Sequence, residues 1–301
     1  MQISYDAYRI FYHVAKFKSF TRAAEALLSN QPNVTRAVKQ LEASLGCTLF
    51  VRSNRGVQLT DEGQKLYAHI SIAFENIQRG EEELALRRSL GSGMVSIGAS
   101  ETALHCLLLP VLRQYKAAHP GVSLKISNHS TPQAIAALKN GLVDLAVVTT
   151  PLDAPPPLRA LRIKSFHEAA VCGNALSHLA EREISLTELS QYPIVSLGAE
   201  TKTYEFYSQL FADHGLSLRA DIQAATADQV LPMVKHDLGI GFVPDDFIRS
   251  EKDQGRLFVL NLKEEIPPRF ICMVKRTDTA LSPAAKELER MLTEQKSADA
   301  D

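Results

Sequence analysis

Hydroxyl-bearing side chains recur in the second half of the chain where a predicted strand leads into a helix. The positions, with one acidic neighbour, are Ser100, Glu101, Thr102, Thr131, Thr149 and Thr150. In open α/β sheets, ligands bind beyond the carboxyl ends of the strands, where helix N-termini offer free N–H groups. This pattern predicts a site for a small anion, with Glu101 turned away or holding a ligand amine. The alternative is that these hydroxyls only cap their own helices.

A second group of polar side chains occupies one face of a predicted helix near the N-terminus. Its buried stripe is predicted to be Val34, Val38, Leu41 and Leu45, so the opposite face carries Gln31, Asn33, Thr35, Arg36 and Lys39. Gln and Asn side chains can pair with adenine and Arg with guanine. Arg52 and Arg55, beside a predicted hairpin turn, suit phosphate or minor-groove contacts. The alternative for each charged residue is a solvated surface side chain.

The charge distribution separates the two halves of the chain. Residues 1–60 carry eight Lys/Arg and three Asp/Glu, a net charge of +5, whereas residues 91–301 carry a net charge of −4. A basic head on an acidic body favours a nucleic-acid partner for the head alone.

Enzymatic signatures are missing from the sequence. There is no GxxxxGK[ST] loop, no HExxH and no GxSxG motif, and Gly239–Gly241 leads into a strand and a turn. The close pair His167–Glu168 is interpreted as a surface pair. The four cysteines, Cys47, Cys106, Cys172 and Cys272, lack metal-ligand spacing and are interpreted as buried thiols. We therefore expect neither an enzyme nor a cofactor.

Three helices and a hairpin are predicted for the head. Tyr8, Phe11, Tyr12 and Ala15 form one face of the first helix, and Ser19 caps the second. Asn30 caps the third helix, and Pro32 lies in its first turn, where a missing N–H is harmless. Strands at Thr48–Arg52 and Val57–Leu59 enclose the turn at residues 53–56.

Thr60 is predicted to cap a long helix that runs to about residue 88. Apolar or small residues alternate at intervals of three and four: Gly63, Leu66, Ile70, Ala73, Ile77, Gly80 and Leu84. Such a heptad seam favours self-association through paired helices, with Leu66, Ile70, Ala73, Ile77 and Leu84 at the interface. The alternative is a helix lying on its own protein's surface.

Beyond a hinge at Leu90–Gly93, strands and helices alternate, which is typical of an α/β domain. Strands are predicted at Met94–Gly98, Val122–Ile126, Leu145–Val148, Ala169–Cys172, Ile194–Leu197, Asp221–Ala224, Ile240–Val243, Leu257–Asn261 and Phe270–Val274. Helices are predicted at 102–118, 132–140, 203–213, 227–237 and 283–294.

The head closely resembles LysR-type transcriptional regulators. The matching positions are Phe20 to Leu27, Ser29 to Glu42, Leu45–Gly46, Leu49–Phe50, Arg52, Arg55–Gly56, Leu59–Thr60 and Gly63. A looser likeness continues through Gly98–Ser100, Leu108–Pro110, His119–Pro120, Gly141–Ala146 and Gly239–Gly241.

The resemblance implies a multi-domain chain. A winged helix-turn-helix (residues 1–60) and a linker helix with its hinge (61–90) would precede an α/β, two-lobed, periplasmic-binding-protein-like domain (91–301). One lobe would be about 91–162 plus 268–294, and the other about 163–267.

The same resemblance implies a DNA-binding regulator switched by a small-molecule effector, dimeric through the linker helix and often tetrameric. Gln31, Pro32, Asn33, Thr35, Arg36 and Lys39 would lie on the recognition helix. RNA polymerase is a further candidate partner. Asn33 replaces the family's common small residue after Gln31–Pro32 and leaves target preference open. Only Cys172 lies in the second lobe, so thiol sensing is disfavoured.

A solute-binding protein of a transporter would share the second half but not the basic head. No apolar run approaches bilayer length, and the start of the chain lacks a signal-peptide pattern. We therefore expect a cytoplasmic protein.

Overall fold

The computed structural model describes residues 3–53, 56–86, 93–248 and 256–298. The chain divides into two compact units, Met1–Ala85 and Leu86–Asp301. Within the described ranges, no helix combines the length and apolar character that a membrane span requires.

The first unit is helical with one hairpin. Its elements are α1 (Tyr5–Phe17), α2 (Phe20–Ala26), α3 (Gln31–Leu45), β1 (Phe50–Ser53), β2 (Gly56–Leu59) and α4 (Asp61–Leu86). The Ser19 hydroxyl accepts from Arg22 N at 3.3 Å, Asn30 Oδ1 from Asn33 N at 2.9 Å and the Thr60 hydroxyl from Gly63 N at 2.9 Å. These three bonds confirm the predicted N-caps, which satisfy otherwise unpaired N–H groups in the first turns.

One glycine fixes how closely α4 approaches the hairpin. A Cβ atom at Gly63 would lie 2.2 Å from the Leu49 carbonyl oxygen, which no side chain can tolerate. Further along α4, Phe74 stacks on Tyr12 of α1 with ring centroids 4.7 Å apart. The first half of α4 is therefore packed against its own unit.

The second unit alternates strands and helices. Its strands are β3 (Met94–Ala99), β4 (Ser123–Asn128), β5 (Leu145–Thr149), β6 (Leu158–Phe166), β7 (Glu168–Cys172), β8 (Glu183–Ile184), β9 (Ile194–Leu197), β10 (Ile222–Ala224), β11 (Ile240–Pro244), β12 (Phe258–Val259), β13 (Asn261–Leu262) and β14 (Arg269–Arg276). Its α-helices are α5 (Glu101–Ala103), α6 (Leu109–Ala118), α7 (Thr131–Lys139), α8 (Leu186–Leu189), α9 (Lys202–Asp213), α10 (Ala227–Lys235), α11 (Asp245–Ile248) and α12 (Pro283–Ala298). A π-helix, Leu104–Leu108, joins α5 to α6, and a 3₁₀-helix covers Asn174–Glu181.

Two mixed five-stranded sheets organise this unit, in the orders β4-β3-β5-β14-β6 and β10-β9-β11-β7-β12. In the first sheet β3 pairs in parallel with β4 and β5, and β14 is antiparallel to β5 and β6. The chain passes from the first sheet to the second between Phe166 and Glu168, and returns before Arg269.

The main elements follow the sequence-based predictions, but the short elements β8, α8, α11 and the 3₁₀-helix were not predicted, and three further regions differ. β6 was not predicted, and it belongs to the first sheet along its full length, so the lobe division expected near 162 falls inside a strand. The predicted strand Leu257–Asn261 is two short strands, β12 and β13. The predicted helix 102–118 is interrupted by the π-helical turn.

Candidate nucleic-acid interface and ligand cleft

The polar face of α3 is exposed as predicted. Val34, Val38 and Leu41 are at most 2% exposed and hold α3 against the core of the first unit. The predicted fourth member of this stripe, Leu45, is 38% exposed, because it lies in the last turn, beyond the packed core. On the opposite side Gln31, Pro32, Asn33, Arg36 and Lys39 are exposed, and Thr35 is half-buried.

Within the part of the chain that the structure describes, the cationic side chains of this face have no ion-pair partner. Neither Arg36 nor Lys39 forms an ion pair with any residue in the described ranges. By contrast Arg9 on α1 pairs with Asp6 at 3.2 Å. The α3 face thus presents amide, guanidinium and ammonium donors outward. Arg55 and the side chain of Arg52 lie outside the described residues.

The predicted heptad seam of α4 divides into two parts. Leu66 and Ile70 pack partly against the core of their own unit. Ala73 is exposed and Ile77 is 41% exposed. The side chain of Leu84 lies outside the described residues. The second part of the seam therefore leaves apolar surface uncovered.

A solvent-open cleft lies in the second unit. It is lined by Ser100, Glu101, Thr102, Asn128, His129, Ser130, Thr131, Thr149, Leu197, Thr201, Lys202, Thr203, Ala225, Thr226 and Ala227. The structure thus brings together five of the six residues predicted for an anion site. Thr150 is not among them, because its hydroxyl accepts a hydrogen bond from Phe270 N at 2.9 Å.

Three helices of at least nine residues begin at this cleft: α7, α9 and α10. A helix start carries partial positive charge and unpaired N–H groups. The Thr201 hydroxyl caps α9 through Tyr204 N at 3.1 Å, whereas Thr226 makes no side-chain cap on α10.

Most hydroxyls of the cleft already take part in hydrogen bonds. Ser100 Oγ accepts from Ala103 N at 3.4 Å, and Thr131 donates to the Thr149 carbonyl at 3.2 Å. Within the described part of the chain, the Thr102 hydroxyl has no hydrogen-bond partner, and Thr102 is 8% exposed. Thr102 is therefore the predicted residue with most capacity left for a ligand.

The charged groups of the cleft wall are paired. Glu101 accepts from Asn128 Nδ2 at 2.6 Å and contacts His105 Nε2 at 2.9 Å. Lys202 contacts Glu205 at 2.7 Å and Asp153 at 3.2 Å. Burial lowers the pKa of His129, which keeps the imidazole neutral at pH 7. Glu101 therefore lines the cleft with its carboxylate already paired to Asn128 and His105.

A buried ion pair lies behind this wall. Arg269 Nη1 donates to Glu168 Oε1 at 2.5 Å, and both side chains are 2% exposed. Arg269 Nη2 also donates to the hydroxyls of Thr149 and Thr203, each at 3.0 Å. Glu168 is the first residue of β7 and Arg269 the first of β14, so the pair joins the two points where the chain changes sheets.

Two family profiles match the chain. The profile described as a bacterial regulatory helix-turn-helix protein of the lysR family matches residues 5–64, and the LysR substrate binding domain matches residues 88–297. The chain belongs to the LysR family. It is therefore a DNA-binding transcriptional regulator with an effector-binding domain, as the sequence predicted, and not an enzyme.

Relatives of this LysR-family chain are regulators by name. The RuBisCO operon transcriptional regulator of Allochromatium vinosum is 27% identical over 95% of this chain and 94% of its own length. The transcriptional regulator YofA of Bacillus velezensis is 26% identical over 93% of this chain and 94% of its own.

Solved LysR-family structures share the fold over the whole chain. The regulator CbnR matches with a TM-score of 0.74 and 17% identity, covering 98% of this chain and 99% of that one. CbnR in complex with its target DNA gives the same TM-score. Full-length BenM matches with a TM-score of 0.57 and 21% identity over 100% and 97% of the two chains.

Sequence reasoning missed the second wall of the cleft in this LysR-family domain. Thr201–Thr203 and Ala225–Ala227 follow predicted strands and begin helices, so the rule that found Ser100 and Thr131 would have found them too. Glu168, interpreted as part of a surface pair with His167, is buried, while His167 is exposed. That interpretation was wrong because Glu168 pairs with Arg269, which is distant in sequence.

The cysteines are all free thiols, but not all are buried. Cys106, Cys172 and Cys272 are buried, whereas Cys47 is half-buried. Burial raises the pKa of Cys106 to about 12 and the pKa values of Cys172 and Cys272 to about 11. These three thiols are therefore poor nucleophiles at neutral pH.

Proposed function

We propose that this LysR-family regulator binds a small organic anion in the cleft of its second unit and that the anion changes its activity on DNA. One observation carries the proposal: three helix N-termini meet around one cleft whose own charges are already paired. The first turn of α10 lacks a side-chain cap, so the N–H groups of Ala227 and Asp228 remain available to a carboxylate.

For the DNA contacts, we propose that the exposed face of α3 enters the major groove. Gln31 and Asn33, in its first turn, are placed to pair with adenine, and Arg36 with guanine. Pro32, Thr35 and Lys39 complete this surface. Arg52 and Arg55 are assigned to phosphate or minor-groove contacts, which position the protein without specifying sequence.

For assembly, we propose that two copies pair through the second part of the α4 seam. Exposed Ala73 and Ile77 support this, and Leu84 continues the predicted seam. Leu66 and Ile70 already pack partly against the core of their own unit, so they contribute less to the pairing. Pairs would associate further into tetramers, and RNA polymerase would be contacted by the regulator bound at a promoter. The proposed domain limits are 1–60, 61–90 and 91–301.

In the first step of the test, the full-length protein is mixed with a library of genomic fragments from its source. The fragments that it binds are recovered and identify the operator. Fluorescence anisotropy on that operator, with a panel of small carboxylates and matched uncharged amides, identifies ligands that alter DNA binding. We expect carboxylates to act and the amides to have no effect. Response to the amides alone would contradict an anion site.

Two variants locate the site. Thr102→Val keeps the side-chain shape but removes an unpaired hydroxyl, so it should weaken binding of the active carboxylate about ten-fold, because hydrogen bonds to charged groups are the stronger ones. Thr187→Val, which changes an exposed residue of α8, is the control and should bind like the parent. Calorimetry measures both. Equal affinities for both variants would place the ligand elsewhere.

A further inference from the structure

A second, smaller pocket lies beside the cleft in the second unit and has room for about one water-sized group; we call it the inner chamber. The two cavities share Thr102, Leu197, Thr203 and Ala227, which form the wall between them. The rest of the chamber lining is Glu168, Ser196, Tyr207, Val230, Phe242 and Pro244. A ligand bound in the cleft therefore lies next to a polar pocket within the domain.

Ser196 is the unusual member of this lining. It is 4% exposed, and its hydroxyl oxygen is buried without a hydrogen-bond partner among the residues described. Alternation along β9 puts Ser196 on the same face as Ile194, which packs with Tyr207 and Phe242. Buried hydroxyls are nearly always satisfied in folded proteins, so an unpaired one next to a ligand cleft points to a missing partner.

The other polar groups of the chamber, apart from Thr102, are already paired. Glu168 accepts from Arg269 and from the Tyr207 hydroxyl, each at 2.5 Å. Thr203 accepts from Arg269. Thr102 lines both cavities, whereas Ser196 lines only the chamber.

The electrostatics of the chamber select a neutral group. The Glu168 carboxylate is neutralised by Arg269 at close range, which leaves no cation unpaired here. Burial, followed by the Glu168 charge, raises the pKa of Tyr207 well above its usual value, so the phenol stays protonated. A second carboxylate would lose its hydration here without gaining a counter-ion. A hydroxyl group can both donate and accept, so it can pair with Ser196 and Thr102 together.

We infer that the inner chamber receives a hydroxyl group of the effector, which is therefore a hydroxylated carboxylic acid. The carboxylate and the carbon skeleton bind in the cleft, with the carboxylate at the helix starts, and the hydroxyl lies beside Thr102 and Ser196 in the chamber. The inference rests on the proposed anion site and adds a specificity-determining residue to it.

The test uses the full-length protein and pairs of acids that differ by one hydroxyl: propionate and lactate, butyrate and 3-hydroxybutyrate, succinate and malate, benzoate and its three monohydroxy derivatives. Thermal shift ranks the acids, and calorimetry measures the affinities of the best pair. We expect the hydroxylated member to bind about ten-fold more tightly, because a site built to pair a hydroxyl discriminates against the analogue that lacks it. Equal binding within every pair overturns the inference.

Ser196→Ala should abolish that preference while leaving the affinity for the deoxy acid unchanged. The variant removes an unpaired buried hydroxyl, so its unfolding midpoint should not fall, which separates loss of recognition from loss of fold. Ser190→Ala, at an exposed serine of the same unit, is the control and should keep the preference.

The two proposals fail in different ways. If no acid of either kind binds the parent protein, the anion site itself is wrong, and the chamber assignment falls with it. If acids bind and Thr102→Val weakens them, but Ser196→Ala keeps the hydroxyl preference, only the assignment of the chamber is overturned.

Discussion

Both the exposed face of α3 and the wall of the cleft carry polar side chains, but they differ in whether those side chains have partners within the protein. Arg36 and Lys39 of α3 have no ion-pair partner in the described ranges. In the cleft, Glu101 and Lys202 are paired, and Thr149 and Thr203 accept hydrogen bonds from the buried Arg269.

The difference follows from what each surface recognises. A polyanion such as DNA supplies a partner for every exposed donor and tolerates side-chain adjustment, since much of the affinity is electrostatic. A small ligand offers few contacts, so its site must be held in place by other residues before it arrives. The Arg269–Glu168 pair does this for the cleft, where Arg269 donates to the hydroxyls of Thr149 on β5 and Thr203 on α9.

The largest effect should come from breaking that buried pair. Glu168→Ala leaves the Arg269 guanidinium without its counter-ion, which should lower the free energy of unfolding of the second unit by about 3–5 kcal/mol. Urea denaturation followed by circular dichroism measures the loss. Replacing both members, as Glu168→Leu with Arg269→Met, should recover part of it.

The control lies just beyond the end of β14, the strand that begins with Arg269. Asp278 pairs with Arg276, at the end of β14, but both partners are solvent-accessible, so Asp278→Ala should leave the urea midpoint unchanged. Similar midpoints for Glu168→Ala and Asp278→Ala would show that the cleft wall is not held by this pair.

Features that depend on residues close together in the sequence were predicted, whereas features that depend on distant residues were missed. The caps Ser19, Asn30 and Thr60 were found because a cap and its N–H lie three residues apart. The pairing of Glu168 with Arg269 was missed because it joins residues 101 positions apart. The edge strand β6 was missed because its charged residues obscure the alternation typical of strands.

The α4 seam shows a further limit of sequence reasoning. Its three- and four-residue spacing identified one apolar side of the helix, but spacing does not say what covers it. Leu66 and Ile70 pack against their own unit, whereas Ala73 and Ile77 do not. Only the folded structure separates the part used internally from the part left for a partner.

The second prediction concerns this uncovered apolar surface. Ile77→Asp would bury a charge at each copy of a paired seam, so self-association should weaken by about 3 kcal/mol or more. Analytical ultracentrifugation at several concentrations should show smaller species. Gln78→Asp introduces the same charge one position along the helix, off the seam, and should keep the parent's oligomeric state. Unchanged sedimentation of Ile77→Asp would mean that α4 is not the interface.

The third prediction tests the exposed polar face of α3. Arg36→Ala should weaken binding to the selected operator by about 1–3 kcal/mol and relax preference at one base pair, while binding to scrambled DNA falls less. Arg9→Ala removes the same charge from α1, where Arg9 is already paired with Asp6, and should have little effect on specificity. Anisotropy titrations at fixed salt compare the variants. Equal losses on operator and scrambled DNA would reassign Arg36 to phosphate contact.

The smallest effect is expected from oxidation of the cysteines, because three of the four thiols are buried. With a pKa near 11, only about one thiol in a thousand is ionised at pH 8, and the thiolate is the reactive form. Cys106, with a pKa of about 12, is less ionised still.

Labelling with a disulfide reagent at pH 8 should therefore modify Cys47 in the native protein and the other three thiols only after unfolding. Brief peroxide treatment should leave effector binding unchanged, with Cys47→Ser as the control that removes the accessible thiol. Rapid native labelling of Cys172 would show that the interior of the second unit opens more readily than its packing indicates, and would make thiol chemistry a second input to this regulator.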